Sequence, residues 1–266
     1  MSEVPSPDLA VPRIVTTIAG SHPITPMWRN QIGGLTFAVE DPAGRRFVKW
    51  APNGPESDAR AEAARMEWVG QYSRAPRVID VLDDPESDTT VLVTQALAGE
   101  SAVSERWKSD PSTAAQVIGR GLRFLHDHAP VDTCPYSWSV EDRLAYARQK
   151  VDAGAAPPSR WPPEYAEDLS LTDALAIAAT PPAIDVKVVC HGDACSPNTI
   201  IDRGEWSGHV DLGALGVADR WADLAIATWS LEWNYGPGWE PTLLDAYGID
   251  PDPERCAYYR LLWELA

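Results

Sequence analysis

Export signals, membrane-length apolar runs and a cysteine framework are all missing from this chain of 266 residues. Its opening residues, Met1 to Asp8, carry neither a basic n-region nor an apolar h-region, so no export signal is expected. No apolar run approaches the ~20 residues that a membrane-spanning helix needs, and none is expected. Four cysteines (Cys134, Cys190, Cys195 and Cys256) are too sparse for a disulfide scaffold and fit a reduced, cytoplasmic setting. Repeats and low-complexity blocks do not occur. Positive charge is also short: 22 Lys and Arg stand against 39 Asp and Glu, a net charge of −17. Such a surface repels nucleic acid and anionic membrane, and neither is an expected partner. It attracts cations, so charge alone leaves a plain solvated surface and a cationic substrate both open.

What is present suffices for a substantial core. Hydrophobic residues make up 44% of the chain, enough for one large domain or two modest lobes. The first 97 residues read as strands with one helix. Strands are expected over Ile32–Glu40, Arg46–Trp50, Val78–Leu82 and Thr90–Gln95, with turns at Asp41–Gly44 and Asp83–Asp88. Pro55 to Tyr72 reads as the helix, with Ala59, Ala63 and Met66 on one face. After Gly99 the pattern turns helical. Pro111–His128 carries an apolar stripe at Ala114, Ile118, Gly121 and Leu125; Val140–Val151, Asp219–Trp233 and Glu254–Leu265 follow as helices. Proline-rich stretches at Ala155–Pro163 and Pro181–Pro182 break the region between. The expectation is an α+β, bilobal layout: a small antiparallel-sheet lobe over 1–97 that binds nucleotide, and a larger helical, catalytic and substrate-binding lobe over 98–266.

The chemistry concentrates in one stretch. Val186–Cys190 is a short apolar strand ending directly in His191-Gly192-Asp193, and Pro197 closes the loop. Thr199–Asp202 and Trp206–Val210 then form a hairpin about the turn Arg203-Gly204-Glu205. A hairpin pairs its first and last residues, so Asp211 should return beside Asn198, at the end where Asp193 sits. Two carboxylates and a carboxamide make an oxygen-rich cluster suited to magnesium. Phosphoryl transfer needs these parts: a group that positions an attacking hydroxyl, here Asp193, and groups that hold metal on the phosphates, here Asn198 and Asp211. Lys49, on the second strand, and Glu62, in the following helix, stand in the order of a kinase lysine–glutamate pair. A polar loop capping a hairpin is the plainer alternative for the same residues.

Val188-Val-Cys-His-Gly-Asp-Ala-Cys-Ser-Pro-Asn198, followed by Val210-Asp-Leu-Gly-Ala-Leu-Gly-Val-Ala-Asp-Arg220, resembles the aminoglycoside phosphotransferases, particularly the 3′-type group. Cys134-Pro-Tyr136, Asp142-Arg-Leu144 and Tyr258-Tyr-Arg-Leu-Leu262 are similar to that family too. The resemblance implies a protein-kinase-like fold that moves the γ-phosphate of ATP or GTP, with Mg2+, to a hydroxyl of a cationic aminoglycoside, the 3′-hydroxyl favoured. It gives Asp193 the catalytic position, Asn198 and Asp211 the metal positions, and Lys49 and Glu62 the phosphate anchor. It puts Gly33 and Gly34 in the nucleotide loop and Gln95 and Leu97 at the adenine. Asp193, Glu232, Glu264 and the carboxylate of Ala266 fall on the substrate side, with Glu164, Glu167 and Asp168 as further candidates. A monomer or weak homodimer is expected. The chain departs from the family pattern at three positions: Ala214 replaces an arginine after Asp-Leu-Gly, Gly34 a serine, and Trp233 an acid.

Two other readings remain: a kinase for another small hydroxylated amine or sugar, and a nucleotide-binding module without catalysis. Zinc at Cys190, His191 and Cys195 lacks a fourth ligand of suitable spacing. His191 reads as a loop organiser, and Asp219 and Asp223 as residues that cap and brace the helix after the metal loop. The twelve tryptophans read mostly as packing, with carbohydrate stacking by Trp233 or Trp239 as the alternative.

Overall fold

The computed structural model describes residues 5–6, 9–30, 32–54 and 58–266. The chain divides into two compact units, Met1–Ala98 and Gly99–Ala266. In the first, α1 (Arg13–Ala19) precedes the strands β1 (Ile24–Arg29), β2 (Leu35–Val39) and β3 (Arg46–Pro52). Helix α2 (Ala59–Val69) and strands β4 (Val78–Asp83) and β5 (Thr89–Gln95) complete it. The strands form one antiparallel sheet in the order β1-β2-β3-β5-β4. Side chains alternate across each strand, so one face carries Phe37, Val48 and Val93 in register, clustered with Val15 and Ala19 of α1. The next position of β3, Lys49, therefore points to the opposite face, toward α2.

Helix α2 starts where Asp58 accepts a hydrogen bond from Ala61 N at 2.9 Å. The expected helix thus begins at Ala59; Pro55 to Ser57 of that expectation lie outside the described residues. Helix α1 and strand β1 were not expected. Helix α1 is only seven residues long, too short to develop a periodic stripe. Strand β1 is an edge strand, largely half-exposed and interrupted by Pro26, so it shows no clean alternation. The expected strand from Ile32 shortens to Leu35–Val39 because Gly33 and Gly34 belong to the preceding turn.

The second unit starts with β6 (Glu100–Ser101), α3 (Glu105–Lys108), α4 (Pro111–His128), α5 (Val140–Asp152) and α6 (Leu171–Ala178). Strands β7 (Lys187–Cys190), β8 (Thr199–Asp202), β9 (Glu205–His209) and β10 (Gly216–Asp219) follow. Helices α7 (Trp221–Tyr235), α8 (Glu240–Tyr247) and α9 (Pro253–Leu265) close the unit. Ala114, Ile118, Gly121 and Leu125 of α4 are all buried, as the stripe requires. Every residue of α7 from Trp221 to Leu231 is buried, which makes it the central helix of this unit. Its expected start at Asp219 moves to Trp221, because Gly216–Asp219 pairs with β7 as a strand. Helices α3 and α8 were not expected; α6 lies within the proline-broken segment from Val151 to Thr180, where helices are expected without bounds. Trp107, Trp161, Trp206 and Trp221 pack in the core. Among the described residues, no helix is long and apolar enough to cross a membrane.

Candidate active site

Strand β7 delivers the loop His191–Asn198, and the β8–β9 hairpin brings the chain back to it. Thr199 pairs with His209, and Val210 N donates to Asn198 O at 2.9 Å, so Asp211 emerges next to Asn198. Asp211 holds a left-handed backbone, φ +61°, a conformation an aspartate tolerates better than most residues. Asn198 Nδ2 donates to the backbone O of Asp193 at 2.9 Å and to its Oδ2 at 3.1 Å. The other carboxylate oxygen, Asp193 Oδ1, is buried without a hydrogen bond. Burial, and then the negative charge of Asp211, raise the Asp193 carboxyl above its ordinary range, while the nearby Cys195 thiol and the Asn198 amide pull the other way. That direction suits a group that must receive or share a proton.

His191 organises the loop. Its Nε2 donates to Val210 O at 2.9 Å and its Nδ1 accepts from Asp193 N at 3.2 Å, which engages both ring nitrogens. Gly192 sits at φ +88°, and a Cβ there would stand 2.2 Å from Ala214 O. Only glycine fits, and Ala214 thus forms the wall against which the loop turns. Asp223, fully buried in α7, accepts from His191 N at 2.6 Å, Gly192 N at 2.9 Å and His126 Nε2 at 3.0 Å. Burial would raise Asp223, but the hydrogen bond and charge of His126 and the loop amides outweigh it and hold the carboxyl below its usual value. His126 in turn meets the Tyr247 hydroxyl at 2.9 Å. Farther along α7, Ser230 Oγ accepts from Ser196 N at 2.9 Å. Asp223 therefore braces the loop itself, beyond the helix it was expected to brace. Asp219, the last residue of β10, accepts from Trp221 N at 3.0 Å where α7 begins, and Arg220 rather than Asp219 is the N-cap residue. His126 and Ser230 were missed; a histidine interrupting the apolar end of the α4 stripe was the one visible signal.

In the first unit, Lys49 Nζ lies 2.7 Å from Glu62 Oε2, with the Glu62 side chain nearly buried. Gly34 N donates to Asn30 Oδ1 at 2.6 Å, and a Cβ on Gly34 would fall 2.7 Å from Asn30 Nδ2. The Asn30 side chain thus occupies the space a serine at position 34 would need. Gln95 ends β5, exposed, with its N–H given to Arg77 O at 2.9 Å; Ala96 N is given to Arg45 O at 2.9 Å, and Leu97 follows.

The acids expected on the substrate side divide into two kinds. Glu164 is engaged at 2.6 Å by Arg260, which also holds Glu240 of α8 at 3.2 Å. Glu164 is thereby tied into the packing of α9, while Glu167 and Asp168 stand exposed. Glu264 is half-buried and meets no hydrogen-bonding or ionic partner among the described residues; burial pushes its carboxyl up to about 7. Glu232 is exposed at the end of α7, and Ala266 O accepts from Lys150 Nζ at 3.2 Å. Trp239 packs against the core, whereas Trp233 remains 45% exposed.

The donor set fits magnesium. With Nδ2 of Asn198 committed to Asp193, the carboxamide oxygen is left for a cation, and Asp211 adds a carboxylate oxygen; both are hard ligands. Zinc does not fit the loop. His126, Cys190 and Asp223 offer ligand atoms within 4.8 Å of one another, but Cys190 Sγ donates to Asp219 O at 3.3 Å and the other two are hydrogen-bonded as described. Burial pushes the Cys190 and Cys195 thiols well above their ordinary values, which argues against a thiolate nucleophile or ligand.

Residues 29–259 match a family model described as the phosphotransferase enzyme family. An aminoglycoside 3′-phosphotransferase of Streptomyces fradiae is 33% identical over 85% of this chain and 87% of its own. A streptomycin 3″-kinase of Streptomyces griseus is 33% identical over 97% of each chain. Among solved structures, an aminoglycoside-3′-phosphotransferase of type VIII superposes with a TM-score of 0.83 at 27% identity, covering 96% of this chain and 97% of the other. A Streptomyces rimosus 3″-aminoglycoside phosphotransferase, in complex with ADP and streptomycin, gives 0.74 at 27% identity, covering 94% and 95%.

Proposed function

Because the chain belongs to the phosphotransferase enzyme family, among the aminoglycoside phosphotransferases, we propose that it moves the γ-phosphate of ATP to a hydroxyl of an aminoglycoside antibiotic, conferring resistance. The observation that carries this reading is the Asp193–Asn198 hydrogen bond with Asp211 returning beside it, on a loop whose amides are fixed by Asp223. In it, Asp193 orients the acceptor hydroxyl and takes its proton as the bond to phosphorus forms; the buried, unpartnered Oδ1 and the raised carboxyl favour that role. Lys49, aimed by Glu62, anchors the α- and β-phosphates, and the turn at Gly33 and Gly34 covers them. Gln95 and Leu97 meet the adenine. Asn198 and Asp211 would hold Mg2+, which when bound offsets the phosphate charge. Glu232, Glu264 and the Ala266 carboxylate bind the substrate's ammonium groups, which gives the net charge of −17 a steering role.

The 3′-hydroxyl is the first choice of acceptor. The 3″ position is a second reading, favoured by the end-to-end likeness to the streptomycin kinase. Incubating the protein with ATP, Mg2+ and kanamycin-, neomycin- and streptomycin-like substrates, and locating the phosphate in each product, decides between them.

A further inference from the structure

Three tryptophans meet where α7 and α9 run side by side. Trp229 and Trp233 lie one turn apart on α7, with ring centroids 4.7 Å apart. Trp263 of α9 sits 5.7 Å from Trp233 and 6.3 Å from Trp229. Trp229 is buried, Trp263 is half-buried and Trp233 is 45% exposed, so Trp233 is the most exposed indole of the cluster. That indole is held: Trp229 is backed by the Arg260 guanidinium at 5.9 Å, and Arg260 is pinned by Glu164, Glu240 and Thr228. An exposed, pre-oriented indole offers a flat apolar face at little cost in side-chain entropy.

Its surroundings point to a ligand. Ser230, between the two tryptophans of α7, holds the loop residue Ser196, so the platform begins about one helical turn (~5.4 Å) from the loop that carries Asp193. Glu240 of α8 is spent on Arg260 and Asp223 of α7 on the loop, whereas Glu232 and Glu264, next in sequence to Trp233 and Trp263, show no ion pair or side-chain hydrogen bond among the described residues. Glu264 is half-buried and follows Trp263, whose ring meets the exposed Trp233; acids and an indole so grouped suit a ring that is apolar on its face and cationic at its rim.

We propose that Trp233, backed by Trp229 and Trp263, is a stacking platform for an amino-sugar ring of the substrate and a specificity-determining residue of this enzyme. Stacking on the indole face orients the ring, while its ammonium groups meet Glu264 and Glu232. This rests on the aminoglycoside reading given above.

The test uses the full chain with Trp233→Ala and Trp233→Phe. The Ala variant should raise KM for accepted aminoglycosides about tenfold, with kcat changed by no more than about twofold and KM for ATP unaltered. The Phe variant should recover most of that loss. Titrating an accepted aminoglycoside into wild type should change tryptophan fluorescence, and Trp233→Phe should abolish most of the change. An unaltered KM in both variants, or an equal fluorescence change in Trp233→Phe, overturns the platform. So does a Trp233→Ala effect confined to sedimentation behaviour, which would make the indole a contact between copies. If wild type transfers phosphate to no aminoglycoside, the functional reading fails and the platform with it; transfer with an unmoved KM overturns the platform alone.

Discussion

Asn198 donates both of its amide hydrogens to Asp193, one to the backbone carbonyl at 2.9 Å and one to Oδ2 at 3.1 Å. One carboxamide thereby fixes the rotamer of the proposed base and leaves its own oxygen for the proposed Mg2+. Asn198→Ala should lower kcat about a hundredfold and raise the Mg2+ concentration needed for half-maximal rate. Asn198→Asp keeps a metal oxygen but cannot donate when ionised, and it sets a third negative charge beside Asp193 and Asp211. It should recover Mg2+ dependence better than activity, as read from rates titrated with Mg2+.

Lys49→Met removes the cation paired with Glu62. Because Glu62 is nearly buried and the Lys49 side chain is 26% exposed, loss of this ion pair should cost about 1–2 kcal/mol of stability. In urea denaturation the midpoint should fall, and KM for ATP should rise by more than KM for the aminoglycoside. Glu62→Gln retains a hydrogen-bond acceptor and should lose less stability.

The brace under the loop should be costlier to break. Asp223 accepts from two loop amides and from His126 in a fully buried site, so Asp223→Ala strands three donors. A loss of about 3–5 kcal/mol is expected, a large share of the stability of an ordinary domain. His126→Gln, which can still donate to Asp223, should retain more stability and activity; thermal melting and kcat report both.

Gly192→Ala tests a backbone requirement. The new methyl group would have to share space with Ala214 O at φ +88°, so activity should fall sharply and stability by ~2 kcal/mol or more.

How much of this was legible follows from how local each signal is. The loop and its hairpin could be read because strand ends, a proline and a two-glycine turn system follow one another within 25 residues, and the pairing of Asp211 with Asn198 is simple strand arithmetic. Lys49 and Glu62 could be read because a strand lysine and a glutamate in the following helix stand in the order of a kinase pair. The α4 stripe was strong enough to give both ends of that helix. Asp223 with His126 could not be paired, since they lie 97 positions apart and their contact exists only once α4 and α7 pack. The bounds of helix α6 were hidden by surrounding prolines, and α8 by its shortness. The roles of Glu232 and Glu264 came from family resemblance, since nothing in their spacing marks them.

Glu264 supplies a pH signature. Burial raises its carboxyl to about 7, so it is largely neutral below pH 6 and largely charged above pH 8. A cationic substrate favours the charged form, so Glu264 should strengthen binding as pH rises through 7. The ratio of aminoglycoside KM in Glu264→Gln to that in wild type should accordingly grow from near one at pH 6 to a plateau above pH 8. A ratio constant across that range would remove Glu264 from the substrate site.

The central claim is tested most directly by phosphate transfer from ATP to a panel of aminoglycosides, with wild type beside Asp193→Ala. Wild type should give a phosphorylated antibiotic, and the variant a rate at least about a thousandfold lower. No transfer to any member of the panel, or equal transfer by Asp193→Ala, would contradict it.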